Sequence, residues 1–400
     1  MTVARSRRRL ARAALVAAGW LALGAPAGAA PLAPFDVCTD PGWHPIESSG
    51  RNVSTLAGSA AMDRVFAGSL QPDGAATVYT GRVTETRWAP VDGMGTVAVT
   101  DIALNPGAPV QTWVATFGDG VFGSTDGATG FGLRGQLVNG WATALAPIPG
   151  GVVAAFSEPA VHGVYFWNGT DWSPTGDSTT IETSLIWKLA SGADGRVWAA
   201  LDARGVWRLD PAAATWLQVG DQSLRGSTVL ALAVDPKDPD RVYAGLGPAL
   251  DAETLPYAQG VRTSGNAGLE WSAAGLGDMN AIPDLTPTSR PFVVYASAWG
   301  AGLRVSSGLV RDEKVHLVWR TAPPPPATRA AGFFNAVFAI VPPGQAPEQC
   351  ELLFVGAADG VWARNIAGVI YRSVYLPTLA GGGRPAGAAV TTYPLAVPGR

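Results

Sequence analysis

The chain has 400 residues, 47% of them hydrophobic and 15% charged, with 50 glycines and 32 prolines. Such a composition can bury a large core while turning often, and it argues against long helices. A formal net charge of −3 removes the basic surface that phosphate-backbone binding needs, so nucleic acid is not an expected partner.

In chain order, a basic stretch (Arg5, Arg7, Arg8, Arg9, Arg12) leads into an apolar stretch from Ala13 to Leu23 and the small residues Ala27-Gly28-Ala29. That order is the pattern of an export signal, so residues 1–30 are expected to be a signal peptide cleaved near Ala29 or Ala30. Ser6-Arg7-Arg8-Arg9-Leu10 also resembles a bacterial twin-arginine signal, which leaves the export route open. No later stretch reaches the roughly 20 apolar residues of a membrane span. The expected location is therefore extracytoplasmic, secreted or in a bacterial cell envelope. Residues 31–51 form an N-terminal segment holding one of only two cysteines, Cys38, whose counterpart is Cys350. In an oxidising compartment two cysteines invite one bridge, and two buried thiols are the other reading.

From residue 52 to 375 the chain repeats. An aromatic or aliphatic residue, then Ala, then a small residue recurs at Phe66-Ala67-Gly68, Val114-Ala115-Thr116, Val153-Ala154-Ala155, Trp198-Ala199-Ala200, Tyr243-Ala244-Gly245 and Tyr295-Ala296-Ser297, with Phe354-Val355-Gly356 as a looser copy. Each is followed by a second segment such as Gly120-Val121-Phe122, Gly205-Val206-Trp207 or Gly360-Val361-Trp362. A third carries an aromatic: Trp88, Phe131, Trp172, Trp216, Trp271, Trp319 and Tyr371. A fourth, such as Ile102-Ala103 or Leu189-Ala190, precedes the first. Short β-branched and aromatic runs between Gly, Pro, Asp and Asn read as strands joined by tight turns. Four strands in each of seven units of about 46 residues predict an all-β, seven-bladed β-propeller of four-stranded antiparallel blades.

Naming the strands a to d from the axis outward, the alanines suit crowded inner strands and the aromatics suit the roomier rim. Gly42-Trp43-His44-Pro45-Ile46 looks like one more outer strand and is expected to dock on blade seven and close the ring. That topology puts Cys38 and Cys350 on the same face. Residues 376–400 are expected to be a flexible Gly- and Pro-rich tail.

Ser264-Gly265-Asn266-Ala267-Gly268-Leu269-Glu270-Trp271 resembles the Asp-box hairpin of sialidase-like propellers, and Ser124-Thr125-Asp126-Gly127-Ala128-Thr129-Gly130-Phe131 is a weaker copy. Val234-Asp235-Pro236 adds a lead-in similar to that of sortilin-type and xyloglucanase-type propellers. The resemblance implies architecture and no chemistry.

By analogy with the fold, ligands meet the face built from the b-to-c and d-to-a loops. Candidate ligand-face residues are Asp119, Glu158, His162, Asp202, Arg204, Asp251, Glu253, Trp299 and Asp359, with the loop from Leu246 to Gln259 as a further contact point. The early position of strand a supplies a ring of Thr55, Asp101, Ala144, Lys188, Ala231, Asp284 and Val337. Asp101 and Asp284, with Lys188, are the candidate catalytic residues, since two carboxylates facing each other across a sugar can act as acid and base. An Asp beside a Lys in a channel also reads as a structural ion pair. No arginine triad of the sialidase kind and no His or Cys pair at metal-ligand spacing is found, so neither a metal nor a cofactor is expected. Gly118-Asp119-Gly120-Val121-Phe122-Gly123 matches a dinucleotide-binding pattern by letters but has no following helix to cradle phosphate. The expectation is a monomeric, non-catalytic module that binds a protein or glycan; a glycoside hydrolase or lyase is the alternative.

Overall fold

A computed structural model describes residues 37–47, 52–70, 77–105, 107, 111–124, 126–135, 140–158, 161–176, 180–210, 214–220, 222–247, 260–279, 281–311, 314–326 and 334–367. It is a seven-bladed β-propeller of four-stranded antiparallel sheets. The innermost strands, in blade order, are Val53–Ser59, Val99–Asn105, Ala142–Ile148, Ile186–Ser191, Thr228–Asp235, Asp284–Pro287 and Ala336–Ile340. Each touches the next, and the first touches the last, which closes the circle.

The first six blades take their strands in chain order, ending on outer strands Ala89–Pro90, Gly132–Leu133, Trp172–Pro174, Thr215–Val219, Ser272–Gly275 and Lys314–Thr321. Blade seven adds Leu352–Ala357 and Gly360–Asn365, and its outer strand is Trp43–Ile46 from the other end of the chain. Trp43 stands opposite Arg364 and Ile46 opposite Val361 in an antiparallel register. A disulfide joins Cys38 to Cys350 across a sequence separation of 312, with Cα atoms 5.2 Å apart. Residues 1–36, Tyr371 and the tail lie outside the described residues.

Burial explains the repeat. The described core divides into seven apolar clusters, each shared by two successive blades. Ala154, Ala199, Ala244 and Ala296 of the second strands are completely buried. A larger side chain at these points would force neighbouring sheets apart, because packed interiors leave no room for extra methylenes.

The outer tryptophans add a polar tie. The indole N–H of Trp172 donates to the Arg134 carbonyl at 2.9 Å, Trp216 to Thr175 at 2.7 Å, Trp319 to Ala274 at 2.5 Å and Trp43 to Pro323 at 3.0 Å. In each case the acceptor belongs to the preceding blade, so the rim is laced by one hydrogen bond per interface at these four positions. Trp216→Phe keeps an aromatic side chain but removes the N–H donor to the Thr175 carbonyl. Its expected cost is about 1 to 2 kcal/mol, read from urea unfolding.

The two Asp-box hairpins differ in how they are held. Asp126 accepts from the Ser124 hydroxyl at 2.6 Å, the Ala128 N–H at 3.0 Å, the Thr129 N–H at 2.8 Å and the Thr129 hydroxyl. Those bonds hold its carboxyl far below the usual range. In the other copy Asn266 takes the Asp place, accepting from Glu270 N–H at 2.9 Å, while Ser264 accepts from Gly268 N–H at 2.8 Å. The copy with the poorer letter match thus has the fuller carboxylate cage.

Candidate functional site

In the first five blades the start of strand a carries a β-bulge, at Ser54, Thr100, Thr143, Trp187 and Leu230. A bulge inserts one unpaired residue and re-aims the side chain next to it. Two bulged hydroxyls tie to the next blade: Ser54 donates to the Val99 carbonyl at 3.3 Å and Thr100 to the Ala142 carbonyl at 2.6 Å. The residues just after the bulges are Thr55, Asp101, Ala144, Lys188 and Ala231, and unbulged blades six and seven supply Asp284 and Val337 at the matching position.

Asp101 is 2% exposed and fully engaged. Its Oδ1 accepts from the Thr55 hydroxyl of blade one at 3.2 Å, its own neighbour Ile102 N–H at 3.0 Å and the Lys188 ammonium of blade four at 2.8 Å. Its Oδ2 accepts from the Leu145 N–H of blade three at 2.9 Å. One carboxylate therefore links four consecutive blades. Lys188 reaches it past blade three, where the ring residue is the buried Ala144; a larger side chain there would stand in the way.

Asp284 repeats half of this arrangement. Its Oδ1 accepts from Leu285 N–H at 3.0 Å and its Oδ2 from the Val337 N–H of blade seven at 2.8 Å. Burial pushes its carboxyl up, Lys188 and the two N–H groups pull it down, and Asp101 pushes it up again, leaving it at about 6. Burial alone would lower the Lys188 ammonium, but Asp101 and Asp284 more than offset this and raise it, so the lysine is a cation at every physiological pH. Its side chain is 30% exposed, against 3% for Asp101.

Asp284 has a pH signature. A carboxyl raised in the fold from 3.8 to about 6 contributes stability that is complete below about pH 4 and is lost as pH rises through about 6. The contribution is at most about 3 kcal/mol, from about 1.4 kcal/mol per unit. Between pH 4 and pH 7, the stability of Asp284→Asn relative to the parent is therefore expected to rise by up to that amount. Urea unfolding at the two pH values checks this, and a constant difference contradicts it.

The loop-face residues sort into three groups. Asp119, Arg204 and Asp359 are exposed. His162 is half-buried, its Nε2 donating to the Ser184 carbonyl at 2.9 Å, and Trp299 is half-buried with its backbone N–H on the Ala281 carbonyl at 3.1 Å. Asp202 is turned inward: it is 9% exposed and accepts the Thr228 hydroxyl of the next blade at 2.8 Å. Asp251, Glu253 and residues 248–259 lie outside the described residues, as does the side chain of Glu158.

Two features of this face were not read from the sequence. Phe117 in the b-to-c loop of blade two stacks on Trp141, just ahead of blade three, with centroids 4.6 Å apart and planes 20° apart. Trp187, next to Lys188, has a buried indole N–H without a partner. A tryptophan immediately before or within strand a was the available signal, and the more numerous outer-strand aromatics hid it. Among the described residues no group of three His, Cys, Asp or Glu side chains could hold a metal ion, and no helix is long and apolar enough to cross a membrane.

No protein-family model matches the chain, and no curated protein is significantly similar to it in sequence. Solved structures do match. The extracellular domain of a putative hybrid two-component system from B. thetaiotaomicron superposes with a TM-score of 0.56 at 10% identity, covering 81% of this chain and 40% of that one. The GH74 xyloglucanase from Xanthomonas campestris gives 0.52 at 14% identity, over 67% and 47%. YCF48 from Cyanidioschyzon merolae gives 0.53 at 13% identity, over 81% and 98%. The chain spans less than half the length of the first two. These neighbours are sialidase-like propeller proteins, the group that the hairpins at Ser124 and Ser264 resemble, and at such identities what they share with this chain is the seven-bladed fold.

Proposed function

We propose that the protein is an exported, non-catalytic propeller that presents its b-to-c and d-to-a loop face to a protein or a glycan. One observation carries this reading: both carboxylates at the channel mouth hold blades together, and Asp101 has each oxygen committed to neighbouring blades behind 2% exposure. An acid or base must reach the proton it moves, and Asp101 is buried with both oxygens already engaged. The disulfide supports an oxidising compartment. Among the structural neighbours are an extracellular domain and a xyloglucanase, so the fold serves different tasks and the residues must decide.

The second reading, a carbohydrate-active enzyme, draws support from Asp284, which at about 6 holds a proton close to neutral pH as a general acid does. A panel of glycosides and polysaccharides separates the two. The binding reading expects no turnover, together with retention on one glycan or envelope protein that Trp299→Ala or Asp359→Ala weakens. Turnover that Asp284→Asn abolishes overturns it.

A further inference from the structure

The two blades whose ring position is a carboxylate also carry an aromatic residue two places past the strand-b partner of that carboxylate. Ala115 stands opposite Asp101 and is followed by Phe117; Ser297 stands opposite Asp284 and is followed by Trp299. Both backbone N–H groups are fixed in the same way, Phe117 on the Ala98 carbonyl at 2.8 Å and Trp299 on the Ala281 carbonyl at 3.1 Å. In blade four, whose ring residue is Lys188, the same position is Asp202. Each inner strand touches the next around a closed circle of seven, so blades two and six stand across the ring from one another.

The tryptophans of this face differ from others in what their polar edge does. Elsewhere the indole N–H is bound within the protein: Trp88 donates to the Glu85 carbonyl at 3.3 Å, Trp207 to the Arg204 carbonyl at 3.2 Å and Trp271 to the Gly268 carbonyl at 2.8 Å. Trp141, stacked on Phe117 with centroids 4.6 Å apart, and Trp299 are both half-buried, and neither indole N–H has an acceptor among the described residues. A partly exposed indole with an unused N–H offers apolar area and a donor together. Exposed Asp119, two residues past Phe117, supplies an acceptor. A protein partner calls for a contiguous apolar core, yet the exposed large apolar side chains among the described residues lie elsewhere: Leu133, Leu217 and Val318 on outer strands and Leu269 in an Asp-box hairpin. Exposed Asp119, Asp359 and Arg204 give the loop face both signs of charge, which favours no strongly charged ligand. Pyranose rings with equatorial hydroxyls fit this combination, because their axial C–H bonds lie flat on aromatic faces while the hydroxyls around the edge meet donors and carboxylates.

We propose that the Phe117–Trp141 pair and Trp299 are two stacking points for one neutral oligosaccharide that lies across the ring, with Asp119 and the two indole N–H groups taking its hydroxyls. The inference rests on the reading of the loop face as a binding surface and names its ligand class and contacts. Two points on one ligand make the second contact intramolecular, so affinity depends on chain length: a chain too short to span gains one contact, and a spanning chain binds on the order of a hundredfold tighter.

Titration calorimetry of the full chain tests this with length ladders of neutral oligosaccharides built from glucose, mannose, galactose, xylose or N-acetylglucosamine. At least one ladder is expected to bind and to tighten sharply once the chain spans both points. Phe117→Leu with Trp141→Leu, which keeps apolar volume without flat rings, and Trp299→Leu are each expected to weaken the long chain at least tenfold and to remove the length step. Circular dichroism and thermal unfolding confirm that each variant is folded, and where the leucine pair is not, Trp141→Phe with Asp119→Asn is read in the same way. Binding that neither set of changes weakens, or that shows no length step, overturns the inference and leaves the loop face as a binding surface. Retention of an envelope protein or a charged glycan through Trp299 or Asp359, with no neutral ladder bound, overturns it equally. Failure of every saccharide and every envelope protein to bind removes the underlying reading as well.

Discussion

Asp101→Ala is expected to lower the unfolding free energy by about 3 to 5 kcal/mol, the cost of breaking a largely buried pair by removing one partner. The change strips Lys188 of its hydrogen-bonded counter-ion and leaves the N–H groups of Leu145 and Ile102 and the hydroxyl of Thr55 without their acceptor. For a domain of this size the melting temperature should fall by roughly 5 °C. The loss arises because one side chain serves four blades. A fall within about 0.5 kcal/mol, the range of an ordinary surface substitution, would show instead that the mouth of the channel is solvated and that its carboxylates are free for other work.

The second large effect concerns closure. Closing a loop across 312 residues is worth about 5 kcal/mol in the chain-entropy treatment, and strain in the native state reduces what is measured. Cys38→Ser/Cys350→Ser is therefore expected to lose up to that amount under urea. A loss within about 0.5 kcal/mol, the range of an ordinary surface substitution, would show that the bridge contributes nothing to closure. Around the bridge, Glu351 pairs with Arg290 at 3.4 Å and accepts the Ser289 N–H at 2.5 Å, tying blade six to blade seven on the same side of the ring.

The architecture was legible because it is periodic. Ala115, Ala154 and Ala199 mark second strands because a crowded interface tolerates nothing larger, and that constraint repeats with every blade. The bulges left no such trace: Ser54, Thr100 and Thr143 are small hydroxyl residues, but Trp187 and Leu230 hold the same backbone place with unrelated side chains. A bulge is a property of the backbone pairing, so side-chain alternation does not report it. The same limit applies to Asp202. As an Asp in a b-to-c turn it reads as a solvated loop carboxylate, and only the packing of the next blade shows Thr228 waiting for it.

The ring of Asp101, Lys188 and Asp284 was legible as a set of positions and illegible as a network. Strand spacing places Asp101, Lys188 and Asp284 on one ring. Whether they act as acid and base or as a tie depends on which backbone N–H groups point at them, and Leu145 and Val337 belong to other blades. The contact from Lys188 to Asp101 also needs the small Ala144 between them, a requirement spread over three repeats. A repeat read one blade at a time does not reveal it. The loop face is different again, since Asp119, Arg204 and Asp359 make it polar while Phe117, Trp141 and Trp299 supply aromatic surface.

Asp101 and Lys188 work together for the ring. A double-mutant cycle on unfolding free energy, with Asp101→Asn, Lys188→Met and the pair, measures this directly. The expected outcome is a coupling of about 2 kcal/mol, the double variant being less damaged than the two single losses added together. Additive losses would contradict it and return both side chains to the groups available to a ligand.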